Sequence, residues 1–67
     1  MIKQIFLQVD INKFEWVTVD NKALGSVVKN INWKKDSETG ALYISVDLES
    51  GLSKCFPERR VMFWDEV

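Results

Sequence analysis

Histidine is absent from this chain, cysteine and proline occur once each, and glycine three times in 67 residues. Each scarcity excludes something. A single cysteine, Cys55, cannot close an intrachain disulfide. Without histidine a zinc site loses its commonest ligand, and Cys55 has no imidazole partner to activate it as a nucleophile. No stretch approaches the roughly 18 apolar residues that a membrane-spanning helix needs. The opening Met1–Gln8 alternates polar and apolar residues and lacks the continuous apolar segment of an export signal. Together with the lone thiol, this makes a reducing, cytoplasmic compartment the expected location. An excess of one charge sign is missing too. Nine basic and ten acidic residues give a net charge of −1, too balanced for a polybasic nucleic-acid binder or an acidic DNA mimic.

What is present is apolar and aromatic. Hydrophobic residues make up 46% of the chain, with Trp16, Trp33 and Trp64 among them. The length supports one domain over residues 1–67 and a modest core, hence a thin stability margin. With disulfide and metal staples missing, association with a second copy is the remaining way to bury more apolar surface, so a homo-oligomer is expected.

The pattern predicts an all-β domain, or a β-rich one with a single short helix, built from five to six strands. In Ile2–Ile11 the residues Ile5, Leu7, Val9 and Ile11 fall on one face, a strand with one side buried. Phe6 interrupts its polar face and suggests a second contact surface. Asn12-Lys13 suits a hairpin turn into the β-branched and aromatic run Phe14–Val19. Residues 22–29 read two ways. Leu24, Val27, Val28 and Ile31 have helical spacing, with Asp20 or Asn21 available as a cap, yet Gly25 would sit in the helix interior. The spacing slightly favours one to two turns of helix there over strand, with strand from about residue 30. Lys35–Gly40 is a polar turn. In Ala41–Glu49, Leu42, Ile44, Val46 and Leu48 share a face. Ser50-Gly51 reverses the chain into Leu52–Phe56, which Pro57 stops. One turn or a 3₁₀ step over 57–59 precedes a final short strand, Val61–Trp64.

The order Phe56-Pro57-Glu58-Arg59-Arg60-Val61, after a glycine-turned hairpin and before the last strand, resembles SH3-like small barrels over about fifteen residues. The likeness implies a small SH3-like barrel or a strongly twisted antiparallel sheet. It implies no ligand, because the acidic loop and paired aromatics that bind proline-rich peptides have no counterpart here, and fold does not fix function.

Catalysis finds little support. The carboxylates of Asp36, Glu38, Glu49, Glu58, Asp65 and Glu66 lie in turns or on polar faces, whereas an acid–base pair needs a desolvated member. Cys55, between Lys54 and Phe56, reads as a small buried apolar filler. No catalytic residue, metal site or cofactor is therefore expected. Two constellations suit binding: Asn32-Trp33-Lys34-Lys35, and Arg59 and Arg60 with Met62, Phe63 and Trp64. Tryptophan and arginine dominate interface hot spots, and arginine stacks on rings and grips anions. The opposing expectation is that Trp33 and either Phe63 or Trp64 are core and the arginines a solvated turn paired to Glu58. On the last strand, strict alternation puts Val61 and Phe63 on one side and Met62 and Trp64 on the other. A single core cannot cover both, so Phe6, Met62 and Trp64 are the candidate oligomer contacts. The function expected first is a stand-alone interaction module or inhibitor docking on a partner protein, in keeping with a short accessory protein of a phage or other mobile element. The alternatives are an oligomeric pocket protein holding a small anion such as a nucleotide, and a small barrel that stacks unpaired bases.

Overall fold

Alternation of apolar and polar residues sets the architecture in the computed structural model, which describes residues 1–66. Seven strands are present: β1 (Ile2–Asp10), β2 (Lys13–Thr18), β3 (Lys22–Ala23), β4 (Ser26–Lys35), β5 (Leu42–Leu48), β6 (Ser53–Pro57) and β7 (Val61–Glu66). One 3₁₀ turn, Glu58–Arg60, separates β6 from β7. The strands form two antiparallel sheets ordered β2-β1-β7 and β3-β4-β5-β6, curled into a small half-barrel. The seventh strand beyond the expected five to six is β3, only two residues long. Proline, 3₁₀ turn and terminal strand follow one another in the order that the likeness to SH3-like barrels implied. Among the described residues no helix is long and apolar enough to cross a membrane.

The core lies between the inner faces of the two sheets. Ile5, Leu7 and Val17 from the three-stranded sheet and Val28, Ile44 and Val46 from the four-stranded one are all fully buried. Cross-strand register aligns them: Ile5 is opposite Val17, and Ile31 opposite Val46. Burying each such side chain is worth about 1.5–3 kcal/mol, which makes this set the main stabilising term. At the corner between the sheets the backbone is tied by Asp20 N–H to the Val28 carbonyl at 2.8 Å and Val28 N–H to the Asn21 carbonyl at 2.9 Å. Asp20 takes φ 74° there, a conformation that aspartate tolerates better than most residues.

Four expectations are corrected. Residues 22–29 are not helical: Ala23 pairs with Ser26 around a two-residue turn at Leu24-Gly25, with φ 56° and 90°. Two successive left-handed residues make a hairpin turn whose twist matches the flanking strands, and they cannot continue a right-handed helix. The β1–β2 turn is Ile11-Asn12 rather than Asn12-Lys13. A bulge at Val9 shifts the register, so Ile11 leaves the inner face and is 81% exposed. Cys55 is exposed rather than buried. Its neighbour Phe56 is opposite the buried Ile44 and takes the inner side of β6, which turns Cys55 outward. On β7, Leu7 pairs with Val61 while the adjacent Phe6 pairs with Phe63, leaving Met62 as an extra residue. This bulge breaks the alternation: Val61 and Trp64 line up with inward Leu7 and Ile5, and Phe63 with outward Phe6.

Candidate docking surface

Strand β1 is apolar on both sides because Phe6 interrupts its outer row of Gln4 and Gln8. The register of the β2-β1-β7 sheet places Trp16, Phe6 and Phe63 in one row across all three strands, and Phe14 beside them opposite Gln8. The rings are in contact. Phe6 stacks on Phe14 at 5.7 Å between centroids and meets Trp16 at 4.8 Å with the rings tilted by 36°, and Trp16 meets Phe63 edge-on at 5.9 Å. Trp16 and Phe63, from the two flanking strands, therefore close over the central Phe6, which is only partly exposed. Such aromatic pairs contribute about 0.5–1.5 kcal/mol each beyond their area, so the cluster also stabilises the sheet from outside.

The outer rings remain wet. Phe14 is 48% exposed, Trp16 53% and Phe63 47%. Half of the roughly 150–250 Å² that an aromatic side chain can bury is still available on each, or about 300 Å² for the three. That is the scale at which a contiguous apolar patch marks an interaction site. The outward positions that the register aligns beside the row, Gln4, Gln8, Thr18 and Asp65, are uncharged or acidic, and the exposed Lys3 lies at the register shift between Ile2 and Gln4. Gln4 accepts a hydrogen bond from the Thr18 hydroxyl at 3.2 Å.

Of the residues singled out from sequence, Phe6 lies at the centre of this row and Met62 in the bulge at its margin, 48% exposed. Trp64 belongs to the inner side. It meets Trp33 of the other sheet edge-on at 5.5 Å, which joins the two predicted constellations through their tryptophans. Trp33 is half-buried against the core. Lys34 and Lys35 are exposed at the end of β4, Arg59 is exposed in the 3₁₀ turn, and Arg60 is partly buried there. The expected pairing of the arginines with Glu58 does not form: among the described residues the only ion pair is Lys29–Glu49 at 3.9 Å.

No family model, curated protein or solved structure matches this chain. The geometry therefore carries the functional argument. A concavity of about 550 Å³ is lined by Lys35, Asp36, Ser37, Glu38, Tyr43 and Cys55. Neither arginine nor tryptophan reaches it, and its two carboxylates oppose the lysine, so it is a poor seat for a nucleotide. Asp36 has its acidity displaced. The backbone N–H groups of Glu38 and Thr39 donate to its Oδ1 at 2.8 and 3.2 Å and hold its carboxyl below the usual aspartate value. This is the chemistry of a tight turn, opposite in direction to what a general acid requires.

Sequence reasoning reached Phe6, and placed Phe63 with the arginines and Trp64 rather than with Phe6, but missed Phe14 and Trp16. The signal was the period-two pair Phe14 and Trp16, on a strand hairpinned to Phe6. The missing information was the register that puts all of them on one face.

Proposed function

We propose that this protein is a non-catalytic interaction module that docks on a partner protein through the outer face of the β2-β1-β7 sheet. The observation that carries the reading is the contiguous row Trp16–Phe6–Phe63 with Phe14, held together ring on ring and half-exposed. Rigid aromatic anchors surrounded by uncharged polar groups are the usual centre of a protein–protein contact. Trp16 and Phe63 meet at 5.9 Å on either side of Phe6, so the row offers a partner one continuous apolar surface. The outward positions Gln4, Gln8, Thr18 and Asp65 offer no cation to a phosphate backbone, which favours a protein over a single-stranded nucleic acid.

The test is affinity capture with the wild-type chain, with Trp16→Ser and Phe63→Ser, and with Leu52→Ser as a control distant from the row. Leu52 is 63% exposed in the β5–β6 turn. The expected result is a reproducible protein that the control retains and both row variants lose while keeping native circular dichroism. Retention by the row variants refutes the reading. Salt-sensitive binding of single-stranded oligonucleotides, with no protein retained, replaces it with the base-stacking alternative.

A further inference from the structure

We infer that β7 pairs antiparallel with β7 of a second copy, so that two three-stranded sheets continue into one of six strands. β7 is an edge strand, paired among the described residues with β1 alone. Exposed edges are usually blunted by shortness, lysine, proline or cover. The other edges here follow that rule. β3 is two residues long, and β6 carries Lys54 and ends in Pro57. On the β2 side, the β3–β4 turn leans in, with the Leu24 N–H donating to Glu15 Oε1 at 3.4 Å. β7 has six residues, no lysine and no proline; beyond its bulge at Met62, Phe63, Trp64 and Asp65 keep unbroken register with β1, and Met62, Phe63 and Trp64 are each about half-exposed.

Its charges fit a copy of itself. Arg59 and Arg60 precede the apolar stretch Val61–Trp64, and Asp65 and Glu66 follow it. Turned antiparallel, the same segment sets its acidic end beside the basic end of the first, twice over, with apolar residues meeting in the middle. Strand addition supplies the backbone hydrogen bonds, and a two-fold axis makes each charge contact occur twice. The arrangement also gives Arg59 and Arg60 acidic neighbours, where among the described residues the one ion pair is Lys29–Glu49. It brings two aromatic rows together, Phe63 being the end of each nearest the shared edge. Like-charge ends would repel a parallel copy. The inference is independent of the docking proposal, because edge pairing uses the backbone of β7 and its flanking charges rather than the outer face.

Native mass spectrometry and sedimentation over a concentration series test it. The wild-type chain is expected at twice its 7.8 kDa mass. R59E/R60E and D65R/E66R each make both ends of β7 alike in charge and are expected to raise the dimer dissociation constant by roughly tenfold or more. An equimolar mixture of the two restores opposite charges at both ends and is expected to form a heterodimer, which separates the effect from failure to fold. Three results overturn the inference: a wild-type chain monomeric throughout the series, a dimer indifferent to either reversal, or a mixture that stays monomeric. A dimer lost with Trp16→Ser but unaffected by the reversals assigns self-association to the outer face instead. All four row aromatics are intact in the charge variants, so capture of a partner by those variants is read separately.

Discussion

Replacing Gly25 with alanine gives opposite results according to whether residues 22–29 form a helix or a hairpin turn. In a helix interior, Gly→Ala stabilises by about 1 kcal/mol. In the structure Gly25 has φ 90°, and a Cβ built there meets nothing within 4 Å. Sterics with neighbours drop out, leaving the left-handed backbone penalty of roughly 1–2 kcal/mol. A chain of this length has a total stability of roughly 3–10 kcal/mol, so the loss is a substantial share. It corresponds to a melting temperature lower by roughly 4–16 °C. Leu24 is the companion case. At φ 56° it carries a similar penalty, but its side chain is partly buried against the core. Leu24→Asn relieves the first and forfeits about half of the roughly 1.5–3 kcal/mol that full leucine burial returns, leaving a net change within about 1 kcal/mol of zero. Thermal unfolding followed by tryptophan fluorescence measures both variants. A Gly25→Ala protein that melts higher than wild type refutes the turn.

Ile44 is fully buried opposite Phe56 and Trp33, so Ile44→Ala is expected to cost about 2–5 kcal/mol, read as a fall in the urea midpoint with unchanged slope. Cys55 is expected to react with a thiol reagent in the native state at a rate close to that in urea; protection until unfolding would return it to the interior. Asp36 has its acidity displaced downward, so its contribution to the 36–40 turn is complete above the unfolded value of about 3.9 and is lost as pH falls through the lower folded value. The amide resonances of Glu38 and Thr39 should titrate with a midpoint below that value and stop titrating in Asp36→Asn. A midpoint above it contradicts the hydrogen bonds.

Much of the fold was legible because period two is an unambiguous signal where it is unbroken. The inward Ile5 and Leu7, the inward face of β5, the polar turn at 36–40 and the 3₁₀ turn after Pro57 follow from local patterning alone. What was not legible traces to single residues. A bulge adds one residue to one strand and reverses the facing of everything beyond it, and no side-chain property of Val9 or Met62 announces it. The reading of Ile11, Phe63 and Trp64 failed for that reason. At 22–29 the helical spacing of Leu24, Val27, Val28 and Ile31 coexists with the alternation of a strand, and the decision falls to Leu24-Gly25, where leucine is an unusual first turn residue. The candidate site was half legible. Phe6 stood out because it broke a polar row, whereas Phe14, Trp16 and Phe63 became a surface only through long-range register.

The pairing of β1 with β7 has a consequence in time. Ile2 lies opposite Glu66, so the central strand of the aromatic sheet waits for a segment some sixty residues later. During synthesis β1 and β2 can form a hairpin early, with Phe6, Phe14 and Trp16 already in contact. One flank of β1 stays open until β7 leaves the ribosome. The loop that must close is nearly the whole chain, and its entropy is spent before β7 returns any contact, which is the circumstance that slows folding. A nascent chain in this state carries an exposed apolar edge beside exposed aromatics, so truncated products ending before Val61 are expected to be the aggregation-prone species of this protein.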